Sequence, residues 1–474
     1  MLATALVALD STIIATASSS IAKDLGHFQQ LPWLFSVYLL AQAVSVPIYG
    51  RLADVLGRKR LLVIGIALFL AGSILCGAAW SMPVLIVGRV IQGLGAGAVM
   101  PISMTITSDI YTLEERAKTQ GYLASVWGIA SVVGPTLGGV FSQLGEWRWI
   151  FWINIPLALV AGFMLIRSYH ERRNETTVRE RIDYLGAALL AGGTTALLLG
   201  LLEGGTTWAW ASGSSIAVFA AAALLLIAFV VVELRVEHPI FSLALLRRRV
   251  VAASTIASLI VGVIVLGLST YVPIYAQDVL GTSALIAGFA LAALTLGWPL
   301  SASQAGRLYL ARGFRATSMI GAGLVLVGAI LAVTLGAHSA IWFVAICCFV
   351  VGCGMGLTAV PTLIAAQTSA AATERGAVTG TNMFARSMGS AVGVAIFGAV
   401  VNSHVTLSAA GVPEGPGLMT AMHLVFLSIL IIGVALFVAV TFMPAHRRAN
   451  GNGDSSAGAV EAEPASMTAA VEML

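Results

Sequence analysis

The sequence predicts an all-α integral membrane protein of fourteen transmembrane helices. Two bundles of six are expected, with two further helices inserted between them and both ends of the chain in the cytoplasm. Three observations predict this: composition, the placement of basic residues and an internal repeat. The 474 residues are 58% hydrophobic and only 10% charged, and the mean hydropathy is +0.95. Globular chains carry about 25% charged and about 45–50% apolar residues. A water-soluble fold could not hide so much apolar surface, so lipid must be the solvent for most of the chain. A soluble enzyme, a nucleic-acid binder and a disordered protein are excluded on that ground. The net charge of +4 is assigned to cytoplasmic loops rather than to an acidic partner.

A helix crossing ~30 Å of hydrocarbon needs about 20 mainly apolar residues. In chain order such stretches fall at 1–22, 31–50, 61–80, 82–109, 117–144, 149–167 and 184–204. They continue at 214–234, 250–276, 283–303, 316–336, 340–368, 378–402 and 420–443. The first is not a signal peptide, having neither a basic leader nor a small-residue cleavage site. It starts only nine residues before Asp10, which leaves a longer leader open. The longest polar connections are 168–183, 235–249 and 403–419. The expected organisation is a six-helix bundle at 1–167, cytoplasmic loops and two inserted helices at 168–249, and a second bundle at 250–449. A tail at 450–474, rich in Ala, Gly, Ser and Glu, is expected to be disordered.

Basic residues set the orientation. Of the 25 Lys and Arg, only Lys23 and Arg148 fall in loops on the outer side, and only Arg89 and Arg386 fall within spans. The remainder cluster in alternate connections, as in Arg51, Arg58, Lys59 and Arg60, or Arg247, Arg248 and Arg249. An even number of spans with both ends inside produces this split.

The repeat has three parts. Gly50-Arg51-Leu52 followed by Gly57-Arg58-Lys59 returns as Gly306-Arg307-Leu308 followed by Gly313-Phe314-Arg315. Gly93, Gly95 and Gly97 before Pro101 return as Gly352, Gly354 and Gly356 before Pro361. Glu115-Arg116 with Gly121 returns as Glu374-Arg375 with Gly380. Three patterns in the same order indicate duplicated bundles.

These residues carry a family resemblance over nearly the whole chain. Trp33, Tyr38, Pro47 and the run Gly50-Arg51-Leu52-Ala53-Asp54 to Gly57-Arg58-Lys59-Arg60 resemble the signature loop of major facilitator transporters. Arg89 with Gln92, Gly93 and Gly97 resembles their fourth-span motif, and Gly134-Pro135-Thr136-Leu137-Gly138-Gly139 their antiporter motif. Leu9-Asp10-Ser11-Thr12 and Trp147-Arg148-Trp149-Ile150-Phe151-Trp152-Ile153-Asn154-Ile155-Pro156 resemble fourteen-span drug:proton antiporters of the EmrB/QacA type. Ala15 and Ala17-Ser18-Ser19 depart from that family's first-span pattern, and Leu310 stands in the second half where Asp54 stands in the first.

The resemblance implies a major facilitator fold with the substrate path between its halves, in the cytoplasmic membrane of a bacterium. It implies proton-coupled export of amphiphilic drugs, cationic or neutral, by alternating access. The alternatives are export of a specific metabolite, siderophore or lipid, and a non-transporting receptor or scaffold. Asp10 and Arg89 are the implied proton-coupling residues, and Gly50, Arg51, Asp54, Gly57, Arg58 and Lys59 the implied cytoplasmic gate. No cofactor is expected, the proton-motive force being the energy source. The expected partners are protons, a drug-like small molecule and the bilayer, without nucleic acid, and the protein is expected to be a monomer.

Each motif also has a bland reading. An Asp at mid-membrane costs about 2.5–3.5 kcal/mol on insertion scales. Asp10 is therefore either a proton carrier or half of a fixed salt bridge, and Arg89 either takes part in proton transfer or merely pairs with Asp10 or backbone oxygens. Gly134, Pro135, Gly138 and Gly139 break or loosen the fifth span and allow close packing; the resemblance implies a part in antiport and in sealing leaks, against a role in packing alone. Met104, Trp127, Tyr271, Met383 and Phe384 could line an apolar cavity with Arg386 near them, or could be packing. Trp147, Trp149, Trp152, Trp208 and Trp210 read as interfacial belt residues. Cys76, Cys347, Cys348 and Cys353 lack metal-site spacing and read as packing residues, so no metal site is expected. Gly93-x-Gly95-x-Gly97 follows no strand and is not a nucleotide fingerprint.

Overall fold

The computed structural model describes residues 1–25, 31–169, 171, 183–204, 208–236, 243–402, 406–407, 413–414 and 417–444. The expected tail at 450–474 lies outside the described residues. Helices account for nearly all of the rest. The first group is α1 (Leu2–Leu25), α2 (Leu31–Leu56), α3 (Arg58–Gly77), α4 (Met82–Ile110), α5 (Leu113–Gln143), α6 (Trp149–Trp152) and α7 (Asn154–Ser168). Then come α8 (Tyr184–Glu203), α9 (Gly213–Glu233) and the single turn α10 (Leu243–Leu246). The last group is α11 (Arg249–Ile274), prolonged by a π-turn at Tyr275–Val279, α12 (Ala284–Arg312), α13 (Phe314–Val333), α14 (Ile341–Thr368), α15 (Arg375–Asn402) and α16 (Gly417–Thr441). A two-residue antiparallel ribbon, β1 (Thr406–Leu407) with β2 (Pro413–Glu414), precedes α16.

Among the described residues eleven helices are long and apolar enough to cross a membrane, with α6 and α7 counted as one. α1, α5 and α15 occupy the positions of predicted spans but fall outside that set. Some side chains within each of these three helices lie outside the described residues, and the glycines and serines of α5 and α15 allow close helix approach.

Two boundaries differ from expectation in the same way. α2 continues through Arg51 and Asp54 to Leu56, and α12 continues through Arg307 to Arg312. Each expected loop is thus a single residue, Gly57 at φ 95° or Gly313 at φ 87°. That left-handed conformation suits only glycine without strain, so the seven-residue glycine spacing sets where each helix ends. The predicted sixth span is divided at Ile153, directly before Asn154. By contrast, α5 runs unbroken through 134–139, so the motif there does not interrupt its helix.

Packing repeats along the chain. α1 lies on α5 as α11 lies on α15; α2 on α4 as α12 on α14; and α3 on α4 as α13 on α14. α7 covers α1 and α3, and α16 covers α11 and α13. The two groups meet where α2 and α4 touch α15 and where α5 touches α12. α8 and α9 pair with each other, and α8 reaches α2 and α15. Much of α9 is exposed, including Ile216, Leu224 and Ile227, as suits a surface solvated by lipid.

Glycines set the closest approaches. A Cβ on Gly321 would lie 2.6 Å from the Gly354 carbonyl oxygen and 2.7 Å from the Leu357 carbonyl carbon, both belonging to α14. Gly323, two residues on, faces open space. Gly321→Val is therefore expected to cost about 1–3 kcal/mol by overpacking and to lower the melting temperature of the detergent-purified protein, while Gly323→Ala leaves it unchanged. Equal melting temperatures for the two variants would contradict this packing.

Candidate functional site

Asp10 is fully buried in α1, and elements far apart in sequence supply its partners. Arg89 Nη1 donates to Asp10 Oδ2 at 2.8 Å. Gln92 Nε2 and Asn154 Nδ2 donate to Asp10 Oδ1 at 2.7 and 3.0 Å. Arg89 and Gln92 stand three residues apart on α4 and so share one helix face. Arg89 Nη1 also donates to Gln92 Oε1 at 2.7 Å, and its Nε to the Leu34 carbonyl at 3.1 Å. The guanidinium carbon sits 4.0 Å from the centroid of the Tyr38 ring. Ser73 Oγ accepts from Gln92 Nε2 at 2.9 Å and Asn154 Nδ2 at 3.3 Å. Five helices, α1, α2, α3, α4 and α7, thus contribute to one charge pair.

Local sequence makes this possible. Gly93 lets α4 approach α2, since a Cβ there would lie 2.5 Å from the Tyr38 carbonyl oxygen. Gly88 does the same against Cys76, whose sulfur would be 2.6 Å away. Gly97 is packed against Ser45, and Gly134 of α5 against Thr12 of α1; Thr12 Oγ1 donates to the Ala130 carbonyl at 2.9 Å. Gly138 is buried and Gly139 half-buried in the same unbroken helix; the Pro135 side chain lies outside the described residues. Two buried polar atoms here, Tyr38 Oη and Asn154 Oδ1, have no hydrogen-bond partner among the described residues.

A second cluster closes the face that carries the Gly57 and Gly313 turns. Asp54, its side chain 1% exposed, accepts from the backbone amides of Gly376 and Ala377 at 3.1 and 2.9 Å. Its carboxylate therefore sits at the N-terminus of α15, where the helix dipole favours a negative charge. Arg58 donates to Asp54 at 2.8 Å and to the Ala372 carbonyl at 2.7 Å. Asp109, at the end of α4, lies 3.2 Å from Arg58 Nε and 3.1 Å from Arg375 Nη1. A Cβ on Gly50 would lie 2.7 Å from the Gly376 carbonyl oxygen, so the backbones of α2 and α15 touch. Arg51 is half-buried in the same turn of α2. Glu171 takes the backbone amides of Arg58 and Lys59 at 2.6 and 3.2 Å, and Lys59 Nζ donates to the Ile166 carbonyl at 2.8 Å. Tyr309 donates to the Leu113 carbonyl at 3.2 Å, adding an α12–α5 tie.

At the opposite face Asp24 accepts from Trp147 Nε1 at 3.0 Å and Arg148 Nη1 at 2.8 Å. The Trp147 hydrogen bond, with the Arg148 charge, outweighs desolvation and holds the Asp24 carboxyl below its usual range. Trp147 is fully buried and is not a belt residue; Trp152 is half-buried beside Gly77 and Trp149 is exposed. Trp210 stacks on Phe219, with Trp208 half-buried before it. The candidate cavity residues divide. Tyr271 is core, packed edge-on against Phe397 at 6.0 Å. Met383 is buried with Met100, while Trp127 and Phe384 pack against that cluster. Met104 and Arg386 are half-buried. Cys76, Cys347 and Cys348 are buried and Cys353 half-buried, all as free thiols.

Asp10, Arg89 and Gln92 stand out in the sequence, whereas Ser73, Asp109, Glu171 and the motif residue Asn154 gain their roles only from the fold. An amide at membrane depth was the available signal for Asn154. Removing one partner of a buried pair leaves the other uncompensated, at about 3–5 kcal/mol. Asp10→Asn is thus expected to destabilise the protein by that amount, and Asp10→Asn/Arg89→Gln to recover more than half of it. A double variant no more stable than the single in thermal unfolding would contradict the pairing.

Known proteins resemble this chain in sequence and in fold. The chain is 35% identical over 393 residues to Multidrug resistance protein 3 of Bacillus subtilis, covering 83% of this chain and 76% of that one. It is 33% identical over 396 residues to the Multidrug transporter protein MdtP of the same organism, covering 84% and 73%. Among solved structures, the human organic anion transporter MFSD10 (TETRAN) superposes with a TM-score of 0.63 at 15% identity, over 93% of this chain and 97% of that chain, a likeness of fold. The family model of the Major Facilitator Superfamily matches residues 1–394. The chain is a multi-pass membrane transporter of the Major Facilitator Superfamily, related to multidrug and efflux proteins.

Proposed function

We propose that this protein is a drug:proton antiporter that exports amphiphilic and lipophilic compounds across a bacterial cytoplasmic membrane by alternating access. The observation that carries the reading is the buried Asp10–Arg89 pair, 2.8 Å apart, with two further donors, Gln92 and Asn154, on the carboxylate. The fourteen long helical segments are then fourteen spans: bundles at 1–167 and 250–449, two inserted helices within 168–249, and both ends in the cytoplasm. The recurrence of helix pairings at α1–α7 and α11–α16 supports that duplication. With the face of Gly57 and Gly313 cytoplasmic, the ties from Asp54, Arg58 and Asp109 to α15 make this the outward-facing conformation, and the run Gly50–Lys59 the gate.

In this cycle Asp10 is the proton carrier. Arg89, Gln92 and Asn154 all donate to its carboxylate. Protonation would remove the attraction to Arg89 and free the guanidinium to exchange partners as the halves rock. Each proton entering contributes ~2.3 kcal/mol per 100 mV of membrane potential, enough to drive concentrative export. The Gly134–Gly139 segment keeps α5 tight on α1 beside the carrier and limits leak. The names of the bacterial relatives support multidrug substrates.

Liposomes holding purified protein, an internal pH dye and an imposed pH gradient test the reading. Adding amphiphilic probes, ethidium among them, is expected to evoke proton flux with the wild type. The flux disappears with Asp10→Asn and with Asp10→Asn/Arg89→Gln, a pair of substitutions that buries no unmatched charge. Undiminished flux in both variants would refute the carrier role, and wild-type flux equal to that of empty liposomes would refute export.

A further inference from the structure

Among the described residues only Asp10, Arg89 and Arg386 carry a charge more than six positions from either end of their helix. The first two neutralise each other. Arg386 has no hydrogen-bond or ion-pair partner among the described residues, although it lies eleven residues into α15, ~16 Å at 1.5 Å per residue. It is half-buried. A guanidinium is always charged and presents five donors, and an isolated charge at membrane depth carries an insertion cost of several kcal/mol. Such a group should have a counter-charge, and Asp10 is already committed to Arg89, Gln92 and Asn154.

The surroundings of Arg386 lie at the seam between the two helix groups. Met383, one turn earlier, is buried with Met100 of α4, and Trp127 of α5 and Phe384 pack against the same cluster. One turn later, Ser390 Oγ donates to the Gly262 carbonyl of α11 at 3.2 Å, and the Arg386 carbonyl itself is pressed on Gly262. The backbone at Arg386 is therefore fixed by α11, while the neighbouring thioether and aromatic groups offer an apolar wall. Apolar walls with one well-placed charge are the usual make-up of a small-molecule site.

We propose that Arg386 is the anion-recognition point of the substrate site, and that the preferred substrates are amphiphilic acids, an apolar body bearing a carboxylate. A carboxylate matches the guanidinium fork by two parallel hydrogen bonds and supplies the missing counter-charge only when substrate is bound. A lipophilic cation placed there would meet repulsion instead. This inference rests on the exporter reading and turns its substrate preference from cationic or neutral drugs toward organic anions.

Three probes with one apolar body test it: pyrenebutyric acid, pyrenebutanol and pyrenebutylamine, titrated against detergent-purified protein by quenching of tryptophan fluorescence. The wild type is expected to bind the acid about tenfold more tightly than the alcohol, and the amine most weakly. Arg386→Gln should bring the acid to the affinity of the alcohol, whose own affinity is retained and reports an intact site; Arg386→Lys should keep part of the preference. The proposal is overturned if the wild type does not bind the acid, if it binds the alcohol or amine as tightly, or if Arg386→Gln keeps the preference. The liposome assay separates the two readings. Proton flux evoked by ethidium together with failure here removes only the anion site, whereas no flux with any probe removes the exporter reading too.

Discussion

A carboxylate buried at membrane depth must find opposite charge and hydrogen-bond donors, and that requirement organises one side of this molecule. Asp10 meets it with Arg89, Gln92 and Asn154. To bring those groups together, α4 must lie close to α2 and α3, and α7 must start beside α1. The glycines at 88, 93 and 97 allow the first. The break at Ile153, with Asn154 opening the next helix, allows the second. Buried ion pairs add little net stability, so so many contacts around one pair fit a residue kept for what it does.

The closed face follows a different rule. There Asp54, Arg58, Asp109 and Arg375 form a chain of opposite signs running from α2 and α3 through α4 to α15. Asp54 spends its remaining acceptor capacity on two amides at the start of α15. Those amides are available only where a helix begins, so the tie is specific to one placement of α15 against α2. Rocking the halves apart would break the set together, since Gly376 supports both the backbone contact with Gly50 and the amide to Asp54. In the proposed cycle, the gate and the carrier lie on the same group of helices and respond to the same motion.

The sequence carried the helix positions well because each span is an apolar run and each tight turn needs a glycine, as at Gly57 and Gly313. The Asp10–Arg89 pairing was legible for the same reason, since two opposite charges at membrane depth have few other partners. Asp109 was not, because an acidic residue at a helix end is ordinary until a structure sets two arginines around it. Trp147 was misread for a related reason: an indole near the end of a span suits the interface, and only the fold revealed Asp24 as its acceptor. α5 does not break at Gly134–Gly139; Gly134 instead gives the close packing against Thr12 that the same motif allowed. Tyr271 was an aromatic residue at plausible depth, and its burial on Phe397 could not be read from spacing.

The most direct test of the central claim is proton release on substrate binding, followed with a pH indicator in weakly buffered detergent solution. If Asp10 exchanges its proton for substrate, adding substrate to the wild type acidifies the solution, and the double variant Asp10→Asn/Arg89→Gln binds without releasing protons. Equal release from both proteins would show that the proton comes from another group, and the buried pair would then be only a structural tie.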